Sequence, residues 1–374
     1  MIKLLVIISC FVLQSYAQQI SEGQLLHKDI PGHSLTGNFF KIPTEQPIAI
    51  YLPPSYNSSE KRYSVVYFLP GFSDAVLFYT NFGIYQGFTL KESMDQLIAE
   101  GKSKEMIVVI VNGTNFLGGS FYVNSSVTGN WEDFVVRDVV NYLDSNYRTI
   151  KSPASRGIAG HSMGGFGAIN IAMKYPDIFG NVYSLSPGLF SPGGLAKHPM
   201  FANKDNIERY LATGKEFESA NKEKSLIKFY AFMSHNNIVS YDFGRAFPYA
   251  YGAAFSASPS KNAPYIDYPF YRKGKEIVID STIWKKWENG FGNLAEKIKE
   301  NKKNLLKLKS FTIDYGIDDE YTFIPEGCVY FSKLLKEAEI PHKLVSFDGR
   351  HQDKLRERIE EHMLPFFSKM LEKD

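Results

Sequence analysis

The stretch RGIAGHSMGGFGAINIAMKY, residues 156–175, decides the fold. It reads as the end of an apolar strand, a sharp turn and the start of a helix. The helix stops at Tyr175, because Pro176 follows. At the turn, Gly160-His161-Ser162-Met163-Gly164 has the Gly-X-Ser-X-Gly pattern that sets a serine on a strained strand-to-helix bend. Small neighbours let the backbone pass closely, and the helix N-terminus faces any negative charge that develops beside it. Five letters alone recur by chance. Between a buried strand and a helix they mark Ser162 as a candidate nucleophile.

Working outward, the same rhythm repeats. PIAIYLPPSY is a strand ended by Pro53-Pro54, whose rings cannot continue a ladder. SVVYFLPG and MIVVIVNG are near-continuous apolar runs, as buried central strands are. TGNWEDFVVRDVVNYLDSNY carries apolar residues at Phe134, Val135, Val139, Tyr142 and Leu143 and is an amphipathic helix. NVYSLSPG, KSFTIDYG and HKLVSFDG read as later strands, with helices around 325–338 and 353–372. Residues 18 to about 45 read as polar chain with scattered turns. Apolar strands alternating with helices predict an α/β domain over 18–374, its mainly parallel sheet covered on both faces.

Residues 189–309 break that rhythm and are expected to form a cap-like insertion. Within them, 13 of the 43 residues at 229–271 are aromatic, against 15% for the chain, and only Asp242, Arg245, Lys261 and Asp267 are charged. Such rings pack the insertion to the body or line a cleft. Tyr241, Phe243, Tyr249 and Tyr251 are candidate substrate contacts.

A serine needs a base, and the base needs an orienting acid. Among eight histidines, His351 follows FDGR at the exit of the last strand, where a loop can reach Ser162. His161, inside the turn, is expected to point away from the serine. The acid belongs to the loop after FTIDYG. Asp314 is expected to serve the turn; Asp319 is the choice, with Asp318 the alternative. Two backbone N–H groups should form an oxyanion hole: that of Met163, after the nucleophile, and that of Phe72, beside Gly71 after SVVYFLPG.

These residues resemble the esterase-D-like branch of the α/β hydrolases. That group includes feruloyl and acetyl xylan esterases, S-formylglutathione hydrolases and mycolyltransferases. The resemblance covers most of residues 47–368. It rests on YLPPSY, LPGFSD, GGSFYVNSSVTGNWEDFV, GHSMGGFGA, DYGIDDEY and FDGRH. Many members have His-Gly where this chain has Pro70-Gly71. The resemblance implies an α/β-hydrolase fold, the acid at Asp319, and hydrolysis of a carboxylic ester, with acylated carbohydrate or a related small ester as substrate. Acyl transfer to a sugar is a second reading, and a non-catalytic binding member of the fold a third.

Composition narrows the rest. The chain has 374 residues, 44% hydrophobic, with 42 Lys plus Arg against 40 Asp plus Glu. A net charge of +2 leaves no electrostatic footprint for nucleic acid or an anionic membrane. Cys10 and Cys328 are the two cysteines, too few for a disulfide scaffold or a thiolate zinc site. No HExxH, P-loop or GxGxxG pattern calls for a metal or organic cofactor. Lys3, the apolar run LLVIISCFVL and the small residues Ser15 and Ala17 describe a secretory signal peptide over 1–17, so a secreted or periplasmic product is expected. Asn57, Asn112 and Asn124 begin glycosylation sequons.

Overall fold

The computed structural model describes residues 22–218, 222–234 and 243–372. The expected signal peptide, with Cys10, lies outside them. Eight strands form one sheet: β1 (Gln24–Pro31), β2 (Glu45–Leu52), β3 (Val65–Leu69), β4 (Ile107–Val111), β5 (Arg156–His161), β6 (Asn181–Leu185), β7 (Ser310–Gly316) and β8 (Lys343–Phe347). Their order is β1-β2-β4-β3-β5-β6-β7-β8. The β1–β2 and β2–β4 pairings are antiparallel, and those from β4 through β8 are parallel.

The central strands explain their own composition. Every residue of β3, β4, β5 and β6 is buried. Both faces are covered, so both faces must be apolar, and the period-2 alternation of a half-exposed strand disappears. On one face, Val66 and Phe68 pack with helix α1 (Leu90–Ala99) and with the last helix, where Leu355, Ile359, Met363 and Phe367 are buried. On the other, Val65, Tyr67 and Leu69 meet helix α2 (131–146), through Phe134, Val135, Val139 and Leu143, and helix α3 (Met163–Lys174).

β1 corrects the reading of residues 18 to about 45 as polar chain with scattered turns. QLLHKDIP carries little alternation and is largely exposed, because it is an edge strand held by backbone pairing to β2. Asp314 does not serve a turn. It lies inside β7, wholly buried, and accepts from Arg358 Nε and Nη2 at 3.0 and 2.6 Å and from the Tyr183 hydroxyl at 2.6 Å. The sequon asparagines differ. Asn57 and Asn124 are exposed. Asn112 is buried and its amide donates to Gln46 and the Thr114 carbonyl.

Between β6 and β7 the chain makes two single-turn helices (Gly194–Lys197 and Pro199–Ala202). Helices α4 (Lys204–Glu218), α5 (Lys222–Ser234), α6 (Phe243–Phe255), α7 (Ser281–Phe291) and α8 (Leu294–Leu305) follow. A short antiparallel ribbon pairs Phe270–Lys273 with Glu276–Ile279. Helix α9 (Phe323–Glu337) separates β7 from β8. Among the described residues no helix is long and apolar enough to cross a membrane.

Candidate active site

β5 runs straight into the bend. Ser162 has φ 57° and ψ −115°, and Met163 opens α3. The neighbouring glycines are needed for close approach. A Cβ on Gly160 would lie 2.3 Å from the Gly164 carbonyl oxygen, and one on Gly164 would lie 1.8 Å from that of Leu69. The bend is pinned from both sides: Ser162 N–H donates to Leu185 O at 2.9 Å, and Phe166 N–H donates to Ser162 O at 3.0 Å. Ser162 is half-buried and lines a cleft of about 70 Å3 that it shares with His351.

His351 stands on the loop after β8 and is buried. Its Nδ1 lies 2.7 Å from Asp319 Oδ2, and the Asp319 side chain is fully enclosed. A carboxylate only accepts, so Nδ1 carries the proton and Nε2 is left as the basic nitrogen. Asp319 is itself oriented, because its Oδ1 accepts the Tyr321 N–H at 2.9 Å. The His351 N–H donates to Glu320 Oε2 at 3.0 Å, fixing the loop as well as the ring. Asp318, by contrast, is exposed, and its backbone N–H donates to Gly349 O. Between the two candidate acids, only Asp319 meets the histidine.

The turn after β3 brings Phe72 to the cleft. It is held by Asp74, a buried carboxylate that accepts from Gly71 N–H at 2.9 Å and from the Tyr79 and Tyr85 hydroxyls. Burial pushes the Asp74 carboxyl above its ordinary range, against the pull of those three donors. Tyr122 ties the same turn down by donating to Pro70 O at 3.0 Å. Met163 also lines the cleft, and as the first helical residue its N–H has no acceptor within the helix.

His161 departs from expectation. Its ring does not turn away from the site but lies 4.8 Å from that of His351. Nε2 donates to the His351 carbonyl at 3.1 Å, which leaves Nδ1 without a proton and without a partner among the described residues. Burial, with the His351 imidazole beside it, lowers its pKa to about 3, so it stays neutral.

The aromatic candidates of the insertion divide. Tyr241 lies outside the described residues, and Phe243 is the first residue of α6. Tyr249 and Tyr251 are buried away from the cleft, which corrects their expected role. Tyr249 stacks on Tyr210 at 4.7 Å. The Tyr251 hydroxyl donates to Trp287 O and accepts from Phe291 N–H, both at 2.9 Å. From the same helix it is Phe247 that reaches the cleft, with Phe291 and Phe323. The local sequence does not mark Phe247, His198 or Asp74 for the cleft, and it turns His161 away from it. Aromatic density marked the right helix, but not which of its faces meets the serine. A separate, open cavity of about 1110 Å3 lies within the insertion, lined by Tyr210, Tyr268 and Arg272 among others.

Comparison with known proteins bears on the family and the fold. Residues 41–231 match the family model described as "Putative esterase". The chain is 30% identical over 149 residues to an endo-1,4-beta-xylanase/feruloyl esterase of Xylanibacter ruminicola, covering 38% of this chain and 20% of that protein. It is 30% identical over 148 residues to the S-formylglutathione hydrolase of Arabidopsis thaliana, covering 37% and 50%. The chain thus spans between a fifth and half of the length of these relatives. Among solved structures, a ferulic acid esterase superposes with TM-score 0.58 at 20% identity, over 94% of this chain and 99% of that one. An S-formylglutathione hydrolase from Agrobacterium tumefaciens superposes with TM-score 0.55 at 16% identity, over 94% and 97%. At such identities the likeness is one of fold, and the fold is that of the α/β hydrolases.

Proposed function

The chain belongs to the esterase family, and from that premise we propose that it is a serine carboxylic-ester hydrolase. The observation that carries the reading is the Asp319–His351 hydrogen bond, 2.7 Å long, at the cleft that holds Ser162 on its strained bend. In this reading His351 Nε2 takes the proton of Ser162 Oγ as the oxygen attacks the ester carbonyl. The Phe72 and Met163 N–H groups hold the oxyanion that forms. His351 returns the proton to the departing alkoxide, which leaves an acyl group on Ser162. Water then attacks, gives its proton to His351, and the acid leaves as Ser162 recovers its own. Asp319 keeps the imidazole in the tautomer that each step requires. Every proton moves between groups of the site and the substrate, so the sequence needs no further reactant than water.

The substrate class we infer is an acylated carbohydrate or a related small ester, with the xylanase/feruloyl esterase relative as support. Transfer of the acyl group to a sugar would use the same first half of the cycle. The N-terminal run that ends at Ala17 supports export, and the mature protein would begin at Gln18. The test is labelling with a fluorophosphonate: the wild type is expected to be modified at Ser162, and Ser162→Ala to remain unlabelled. A folded wild type that takes no label and cleaves no ester would overturn the reading.

A further inference from the structure

His198 stands where the insertion returns to the catalytic cleft, at the joint between the two single-turn helices. Its imidazole is 1% exposed. It stacks on Phe247, with ring centroids 4.8 Å apart and planes 19° apart, and lies 4.8 Å from the ring of Phe323. Nδ1 accepts the Met200 N–H at 3.1 Å. A ring nitrogen that accepts carries no proton, so in the neutral imidazole the proton is on Nε2. That N–H has no acceptor among the described residues. The side chain lines the same cleft as Ser162 and His351.

Packing does not require this arrangement. A phenylalanine would stack as well on Phe247 and Phe323. An asparagine would cap Met200 as well. What histidine adds is an enclosed donor in the wall of the cleft that holds Ser162, and buried donors are kept where something supplies their acceptor. The ester carbonyl oxygen is already assigned to the Phe72 and Met163 amides, so the group that His198 meets is a second oxygen. Burial holds the imidazole pKa down at about 3, so the donor is neutral. No Lys or Arg is among the described residues lining the cleft. The site therefore suits an uncharged acceptor, such as an ether, hydroxyl or keto oxygen. The room of about 70 Å3 keeps that oxygen within a few atoms of the ester.

We propose that His198 Nε2–H is the specificity donor for a second, uncharged oxygen of the bound ester, selecting oxygen-substituted esters over those with a methylene in its place. The proposal rests on the esterase reading above. Its chemistry follows from buried recognition. A site built to hydrogen-bond a substrate group discriminates strongly against the analogue that lacks it, because the buried polar group is then unpaired.

Two pairs of esters matched in shape test it. p-Nitrophenyl methoxyacetate against p-nitrophenyl butyrate places the oxygen on the acyl side. 2-Methoxyethyl acetate against butyl acetate places it on the alcohol side. Each kcat/KM is divided by the hydroxide-catalysed rate of the same ester, which removes intrinsic reactivity. The wild type is expected to favour the oxygenated member of at least one pair by about ten-fold. His198→Phe, which keeps the stack, should bring that ratio to about one. His198→Gln, whose amide N–H reaches the Nε2 position, should retain most of it. Where His198→Phe does not fold, His198→Asn is read in its place, since it keeps the cap on Met200 but is too short to reach the Nε2 position. A wild-type ratio of one in both pairs overturns the proposal, as does an undiminished ratio in a folded variant that lacks the donor. Those results would leave the esterase reading standing. A wild type that turns over none of the four esters and takes no fluorophosphonate label removes both together.

Discussion

Ser162 is held at a backbone conformation that costs a non-glycine residue on the order of 1–3 kcal/mol, and strain of that size persists only where neighbours over-determine it. Here the neighbours are the Leu185 carbonyl, Gly160 and Gly164. Replacing the hydroxyl alone leaves them in place. Ser162→Ala is therefore expected to fold normally and to lose activity on the order of 10⁶-fold in kcat with a short p-nitrophenyl ester. More than a few per cent of residual activity would point to another nucleophile. The acid is a sharper test. Asp319→Asn offers Nδ1 of His351 an amide that can donate, in place of a carboxylate that only accepts, and should cost about 10⁴ in kcat. Asp318→Asn changes an exposed side chain and should stay within a few-fold, so equal losses in steady-state assays would overturn the assignment. Ser162 and His351 were legible because each sits at the end of an apolar strand with a turn signal behind it. His161 and His198 were not. Nothing local distinguishes a histidine that holds a neighbouring loop, or faces a cleft, from one on a surface.

Where β3, the Ser162 bend and α3 cross, the spacing leaves no room for a methyl group. Gly164→Ala would drive its Cβ into the Leu69 carbonyl, and backbone cannot swing aside as a side chain can. It is expected to lower stability by about 3 kcal/mol or more, read as a fall in the urea midpoint. In α6, one turn of helix divides two roles. Tyr251→Phe removes the hydroxyl that joins Trp287 O to Phe291 N–H and should cost about 1–3 kcal/mol, lowering the melting temperature without altering relative rates on large and small esters. Phe247→Ala opens the cleft wall and should change those relative rates. If Tyr251→Phe shifts selectivity at an unchanged melting temperature, the division of the helix is wrong. The aromatic content of 229–271 was plain in the sequence. Its orientation was not, because rings spaced this densely place aromatics on every face of the helix.

At the scale of the whole molecule, a buried ion pair ties the last helix to the sheet. Arg358 reaches Asp314 in β7 through two N–H donors, and both side chains are almost wholly enclosed. Removing one partner strands the other charge. Arg358→Met is expected to cost about 3–5 kcal/mol in chemical denaturation. A loss below 1 kcal/mol would show that water reaches Asp314. Acid should weaken the fold in a stated direction. His161 and His198 have pKa values of about 3 in the folded protein, against 6.5 for an unperturbed imidazole. Between those limits the unfolded chain binds more protons than the folded one, so stability falls as the pH drops below 6.5. Each ring contributes about 1.4 kcal/mol per pH unit. Urea midpoints at pH 7 and pH 5 should therefore diverge less in His198→Phe than in the wild type, and equal divergence would remove His198 as a source.

The amino-acid sequence by itself determined the alternation of apolar strands and helices, the bend at Ser162 and the loop that carries His351. These are local facts, set by side-chain period, glycine and proline over a dozen residues or fewer. Tertiary structure decided which of Asp318 and Asp319 meets His351, since adjacent carboxylates look alike until one is buried against an imidazole. It decided that Asp314 belongs to an ion pair 44 residues distant, and that β1 is a strand at all, because an edge strand draws its order from its partner's backbone. It also decided which rings of the insertion face the serine. That choice depends on how α6 is rotated against Phe121 and Phe291, and such rotation is set by packing between segments far apart in the chain.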